Sequence, residues 1–155
     1  MVYKLITKTV LPVSLKEAWE FFSSPANLGK ITPPEMNFRI LNSTTGTKVA
    51  QGTHILYKVS PLLGIPLTWE TEILACDKEK TFVDVQRKGP YRLWHHIHYF
   101  REVPGGVEMY DEVKYKLPMG ILGRFMHFLF IRKKVEGIFE FRNSAILKIF
   151  PRKQS

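Results

Sequence analysis

The sequence has a single cysteine, Cys76, among 155 residues. That excludes an internal disulfide framework and any multi-cysteine metal site, and it suits a reducing compartment. Acidic residues are scarce: 14 Asp and Glu stand against 23 Lys and Arg, for a net charge of +9. An excess of this size keeps a small protein soluble and attracts anionic partners without bearing on its fold. A membrane span needs about 20 apolar residues, and the densest run here, Ile121 to Ile131, is interrupted by Gly123, Arg124 and His127. The opening MVYKLITKTV has neither the apolar core nor the cleavage site of a signal peptide, so a cytoplasmic protein is expected. Gly-rich phosphate loops, nucleophile elbows and metalloprotease helix signatures are missing. So are repeats, low-complexity tracts and linkers. What is present, 45% hydrophobic and 24% charged residues, is the composition of a folded chain, and 1–155 fits one domain.

Residues 2–11 mix apolar and β-branched residues with Lys and read as a strand ended by Pro12. Ser14 stands three residues before Glu17, the capping-box spacing, and Leu15, Ala18, Trp19 and Phe22 follow at helical spacing. A short helix is predicted over 15–23. Ser24 and Pro25 restart a helical turn anchored by Leu28 and Ile31, which Thr32, Pro33 and Pro34 stop. The period then changes to two, with strands predicted at 37–43, 53–60, 67–76, 80–87, 92–102 and 106–117. Their separators carry turn chemistry at Gly46, Gly52, Pro61 with Gly64, Asp77–Lys78–Glu79, Gly89–Pro90 and Pro104–Gly105–Gly106, which favours antiparallel hairpins. In the last strand Val107, Met109, Asp111, Val113, Tyr115 and Leu117 share one face, while Glu108, Glu112, Lys114 and Lys116 lie on the other. From about 119 to 150 apolar residues recur at helical spacing: Ile121, Phe125, Phe128, Ile131, Val135, Ile138, Phe139, Ile146 and Ile149. One long helix is predicted there, with Gly137 as the place for a bend and this stripe lying across the sheet. The fold class is α+β: a curved seven-stranded antiparallel sheet wrapped around a C-terminal helix, with two short helices between strands 1 and 2.

This element order is similar to the helix-grip arrangement of the START-like, or Bet v 1-like, superfamily (SRPBCC). Several motifs resemble those of a bacterial ligand-binding subgroup within it: Ile31–Thr32–Pro33–Pro34 leading to Phe38, and Gly64–Ile65–Pro66–Leu67–Thr68–Trp69. Phe82–Val83–Asp84–Val85–Gln86 leads into Gly89–Pro90–Tyr91, Trp94, His96, His98 and Phe100, and Asp111, Val113, Tyr115, Leu117, Pro118, Gly120 and Gly123 complete the pattern. The resemblance covers nearly the whole chain, and the stretch from Gly89 to His98 is its most specific part. It implies a cavity between sheet and helix for an apolar or amphipathic small molecule, as in relatives that carry lipids or quinones, or in polyketide cyclases and aromatases. No cofactor is implied.

Asp111 interrupts an apolar face, and an unpaired buried carboxylate is costly enough that it must find a partner. Asp84 and Gln86 share the face of Phe82, while His96 and His98 share that of Trp94 and Phe100. If these faces point inward, one wall gathers Asp84, Gln86, His96, His98 and Asp111, with Tyr57, Trp69, Trp94 and Tyr115 as the remaining ligand-contacting candidates. The opposite register, with Val83, Val85, Ile97 and Tyr99 inward, is compatible with the weak alternation of those strands. The polar set has three readings: a hydrogen-bonded network, a ligand-orienting wall, or a His–Asp acid–base pair built from His96, His98 and Asp111. His96 and His98 with a carboxylate have the composition of a metal triad, but that composition is generic and no metal is expected. His95 should face the other way, and Cys76 reads as a structural thiol. Residues 120–155 hold eight Lys and Arg against Glu136 and Glu140, a solvated face or a transient contact with an anionic membrane. Nucleic acid is not expected, because the Phe residues among these cations fit a buried stripe better than a stacking platform.

Overall fold

The computed structural model describes residues 1–43, 48–61 and 64–151; Gly46, read above as a turn residue, and Arg152 and Lys153, counted in the basic tail, lie outside the described residues. The chain runs β1 (Tyr3–Leu11), α1 (Leu15–Phe22), two 3₁₀ turns (Pro25–Ile31 and Pro34–Met36), β2 (Arg39–Ser43), β3 (His54–Val59), β4 (Leu67–Asp77), β5 (Thr81–Lys88), β6 (Leu93–Val103), β7 (Gly106–Lys116), α2 (Gly120–Met126), a π turn (His127–Ile131) and α3 (Arg132–Ile149). The seven strands form one sheet in the order β1-β7-β6-β5-β4-β3-β2, with every neighbouring pair antiparallel. This is the helix-grip fold.

Local chemistry sets each element. The Glu17 backbone N–H donates to Ser14 Oγ at 3.2 Å, and the Ser14 N–H donates back to Glu17 Oε2 at 2.9 Å, closing the capping box of α1. α1 then turns Trp19 inward, edge-on to Phe82 and Phe100 at centroid distances of 5.9 and 5.7 Å. Alternation in β7 buries Val107, Met109, Asp111, Val113 and Tyr115 on one face. β7 begins at Gly106 (φ 143°), where a Cβ would stand 1.9 Å from the Leu11 carbonyl oxygen. Only glycine lets the start of β7 lie so close to the end of β1.

Two expectations fail. The chain does not leave helical geometry at Pro33: Pro34 opens another 3₁₀ turn that buries Met36, and Asn37 closes it in the left-handed region at φ 48°. Proline at a first helical position is as good a start as a stop. The C-terminal helix also departs from expectation. α3 runs unbroken through Gly137, and the irregularity is the π turn at His127–Ile131. Ile121, Phe125 and Phe128, expected to lie on the sheet, are exposed, as is Ile149. The buried line instead runs Gly123, His127, Ile131, Val135, Phe139, Arg142 and Ile146.

Candidate functional site

β5, β6 and β7 lie side by side, and their register sets Asp84 opposite His96 and His98 opposite Asp111. The close hydrogen bonds run along the diagonals. His96 Nε2–H donates to Asp111 Oδ1 at 2.9 Å, and His98 Nε2–H donates to Asp84 Oδ2 at 2.7 Å. The remaining nitrogens face the other carboxylates: His96 Nδ1 is 3.4 Å from Asp84 Oδ2, and His98 Nδ1 is 3.0 Å from Asp111 Oδ1 but off the line of a hydrogen bond. The two imidazoles lie 3.7 Å apart at 35°, and Phe82 stacks on the outer face of His98 at 4.0 Å. Two carboxylates thus grip a pair of closely packed, tilted rings. Arg142, itself buried, reaches across from α3 to set Nη2 3.5 Å from Asp111 Oδ1 and rests its guanidinium over Phe22.

Burial alone would push both carboxyls up, but the charges around them win. Arg142 and the two imidazoles hold Asp111 well below the usual carboxylate range, and His96 and His98 hold Asp84 below it. The histidines part company. Burial and the neighbouring His98 push His96 down, whereas the close Asp111 carboxylate and the hydrogen bond to Asp84 overcome burial and raise His98. Of the two rings, His98 therefore keeps its proton to higher pH than His96. With one of the two rings protonated, the two carboxylates and the Arg142 guanidinium leave the five groups electrically balanced, and the histidines titrate as a unit.

Asp84, His96, His98 and Arg142 line a cavity of about 180 Å³ between the sheet and α3. Its other walls come from Phe21, Phe22, Leu28, Ile31, Met36 and Phe38 on the α1 side, and from Ile55, Tyr57, Trp69, Tyr91, Trp94 and Phe139 elsewhere. Tyr57, Trp69 and Trp94 accordingly lie where the sequence placed them. Asp111 stands behind His96 and His98, 1% exposed and outside the lining. Gln86 is not a wall residue. Its Nε2 donates to the Tyr91 carbonyl and its Oε1 accepts from the Tyr91 N–H, so it clamps the β5–β6 connection and fixes Tyr91. Tyr115 shares the buried face but lies outside the cavity lining, bonded through its hydroxyl to His127 Nε2 at 2.8 Å, and lines a separate groove with Tyr3, Arg124 and Phe128. His95 takes the opposite parity to His96, and Cys76 is half-buried with its thiol pushed up by burial. Sequence reading misses Arg142 and Tyr91. Arg142 reads as one of the solvated cations, although its position three after Phe139 and four before Ile146 puts it on the apolar line of α3.

Among the described residues, Asp84, His96 and His98 each offer one ligand atom, all within 4.8 Å of one another. A cation prefers to lie in the plane of each imidazole it meets. Both Nε2 atoms are already engaged by the carboxylates, so a cation would have to displace those hydrogen bonds, and the arrangement fits a metal poorly.

No protein-family model matches the sequence, and no curated protein does. Solved structures do share its fold. One is the di-domain aromatase/cyclase BexL from the BE-7585A biosynthetic pathway, at TM-score 0.73 and 13% identity over 99% of this chain and 51% of that one. Another is the major latex-like protein 151 of Panax ginseng, at TM-score 0.67 and 13% identity over 97% and 98% of the two chains. The protein TTHA0849 of Thermus thermophilus matches at TM-score 0.66 and 13% identity over 95% and 99%. The chain is therefore Bet v 1-like in fold. No helix among the described residues is long and apolar enough to cross a membrane.

Proposed function

We propose that the whole chain is one ligand-binding domain, which holds an apolar or amphipathic small molecule of lipid, quinone or polyketide type between the sheet and α3. The observation that carries this reading is the cavity itself: aromatic and aliphatic side chains on most sides, and Asp84, His96, His98 and Arg142 gathered on one wall. Apolar walls supply affinity, and a few convergent polar groups fix orientation. Trp69 Nε1, buried without a hydrogen-bond partner among the described residues, adds a donor that a ligand oxygen could satisfy. The lone Cys76 supports a cytoplasmic, reducing setting. Native mass spectrometry of the protein purified from its own cells tests the reading. A retained small molecule, displaced by long-chain apolar competitors with a change in Trp69 and Trp94 fluorescence, is the expected result. Protein that is ligand-free and indifferent to such competitors would overturn it.

A second reading is favoured by the state of His96. A neutral imidazole on the cavity wall, oriented by Asp111, is equipped to move a proton in an aldol-type cyclisation or dehydration. On this reading His96→Ala and Asp111→Asn abolish turnover of a cyclisable substrate while its affinity is retained. On the binding reading they alter affinity alone.

A further inference from the structure

Ile121, Phe125 and Phe128, which the sequence assigns to the sheet and the fold leaves in solvent, share one short segment with other exposed apolar side chains. Met119, Ile121, Leu122, Phe125, Phe128 and Phe130 are between 51% and 81% exposed, Phe128 most of all. Single exposed apolar residues are ordinary; a contiguous group on one short segment marks an interaction site. The segment is also one-sided in charge. It carries Arg124, Arg132, Lys133 and Lys134, and no acidic residue occurs between Glu112 and Glu136. Arg124 and Lys133 have no ion-pair partner among the described residues, while Arg132 and Lys134 are 2.9 and 4.0 Å from Glu136 and Glu35.

We propose that α2 and the π turn form a docking surface for an anionic lipid bilayer, with the phenylalanines entering the interface and the cations meeting the headgroups. Phe and Leu flanked by Arg and Lys is the composition of a helix lying in a membrane interface, and the negative surface potential of such a membrane attracts each added cation. A second copy of the chain fits the surface less well, since a two-fold contact would set these cations against themselves. The backbone holds the surface in place. A Cβ at Gly123 would fall 2.1 Å from the Pro118 carbonyl oxygen, so the first turn of α2 is pressed onto the exit of β7. Beside it, Lys4, Arg124, Arg132 and Glu136 line a groove of about 410 Å³; Lys4 and Arg132 are paired with Glu112 and Glu136, and Arg124 is the cation left to meet a headgroup phosphate. An empty or absent ligand cavity would leave this surface as it is.

Flotation of the full chain with vesicles of phosphatidylcholine alone, and of phosphatidylcholine with phosphatidylglycerol in equal parts, tests the proposal. Binding to the anionic vesicles only, collapsing with added salt, is expected. Arg124→Gln with Lys133→Gln should weaken it about thirtyfold, and Phe125→Ser with Phe128→Ser more than tenfold. These side chains are exposed, so both variants should keep the parent circular dichroism. The single variant Phe128→Trp gives an independent readout, a blue shift of the new indole emission on anionic vesicles and its quenching by brominated lipid. No binding to anionic vesicles at low salt, or equal binding by parent and phenylalanine variant, overturns the proposal. So does a parent dimer that Phe125→Ser with Phe128→Ser dissociates, or a single-stranded oligonucleotide bound in place of vesicles.

Discussion

α2 and α3 belong to one run of helix, both carry Phe, Ile and Leu at helical spacing, and they are buried oppositely. In α3, Val135, Phe139 and Ile146 lie within the core with Arg142 among them; in α2, Ile121, Leu122 and Phe125 face solvent. Periodicity says that a helix has a side, not what that side will meet. The buried line through Gly123, His127, Ile131, Val135 and Phe139 advances in steps of four, which a helix of 3.6 residues per turn cannot keep on one face for long. The wide π turn takes up the difference. It keeps Gly123 and His127 against the sheet and carries the larger apolar side chains around them outward. His127 is held there by stacking on Tyr3 at 3.4 Å and by the Tyr115 hydroxyl.

The sharpest way to break this contrast is to remove what α3 buries. Arg142→Ala leaves Asp111 without its guanidinium in the interior and should cost about 3–5 kcal/mol of unfolding free energy, read from urea melts. Phe139→Ala removes a ring that meets His96 edge-on and should cost a similar amount, about 3–5 kcal/mol. If either costs no more than a surface substitution, α3 does not close the core.

The next effect is on pH dependence. Asp84 and Asp111 are held below their ordinary value of 3.8, so the stability they lend is present above that pH and lost as pH falls through their folded values. His98 is raised above 6.5, so its contribution is full below 6.5 and fades as pH rises through its folded value; His96 is lowered and subtracts stability as pH falls below 6.5. The two windows adjoin at 6.5, so the joint contribution of the histidines should peak near that pH and decline to either side. Ring-proton NMR should show His98 giving up its proton at higher pH than His96. The reverse order would put the imidazolium on the other ring.

The smallest effect belongs to α2, where Phe128→Ala should shift unfolding free energy by no more than about 0.5 kcal/mol. A loss comparable to that at Phe139 would mean that Phe128 packs against something in the folded chain.

Much of the architecture was legible because it rests on short-range chemistry: the Ser14–Glu17 box, the turn residues, and the period of two in β7. The site was legible where one anchored strand fixed the parity of its neighbours, so Asp111 on β7 brought His96, His98 and Asp84 to the same face. It failed where a side chain's role depends on a partner far away in the sequence. Arg142 is a cation among cations until α3 is laid over β7. Gln86 has the parity of a wall residue, but the chain turns back beside it and Tyr91 supplies both ends of its amide with partners.

The pairing of β1 with β7 along the whole strand, from Tyr3 with Tyr115 to Leu11 with Val107, also bears on the history of the chain. Among the described residues, the earliest-made of the seven strands has its sheet neighbour in the last-made. β1 waits, amphipathic and unpaired, until about a hundred further residues have been made, and closing so long a loop is slow. Until then its edge is open to other chains, and this is the stage at which the nascent protein is most prone to aggregate. Pulse-labelled hydrogen exchange during refolding should find the amides of β1 gaining protection no earlier than those of β7, and after those of the β3–β4 hairpin.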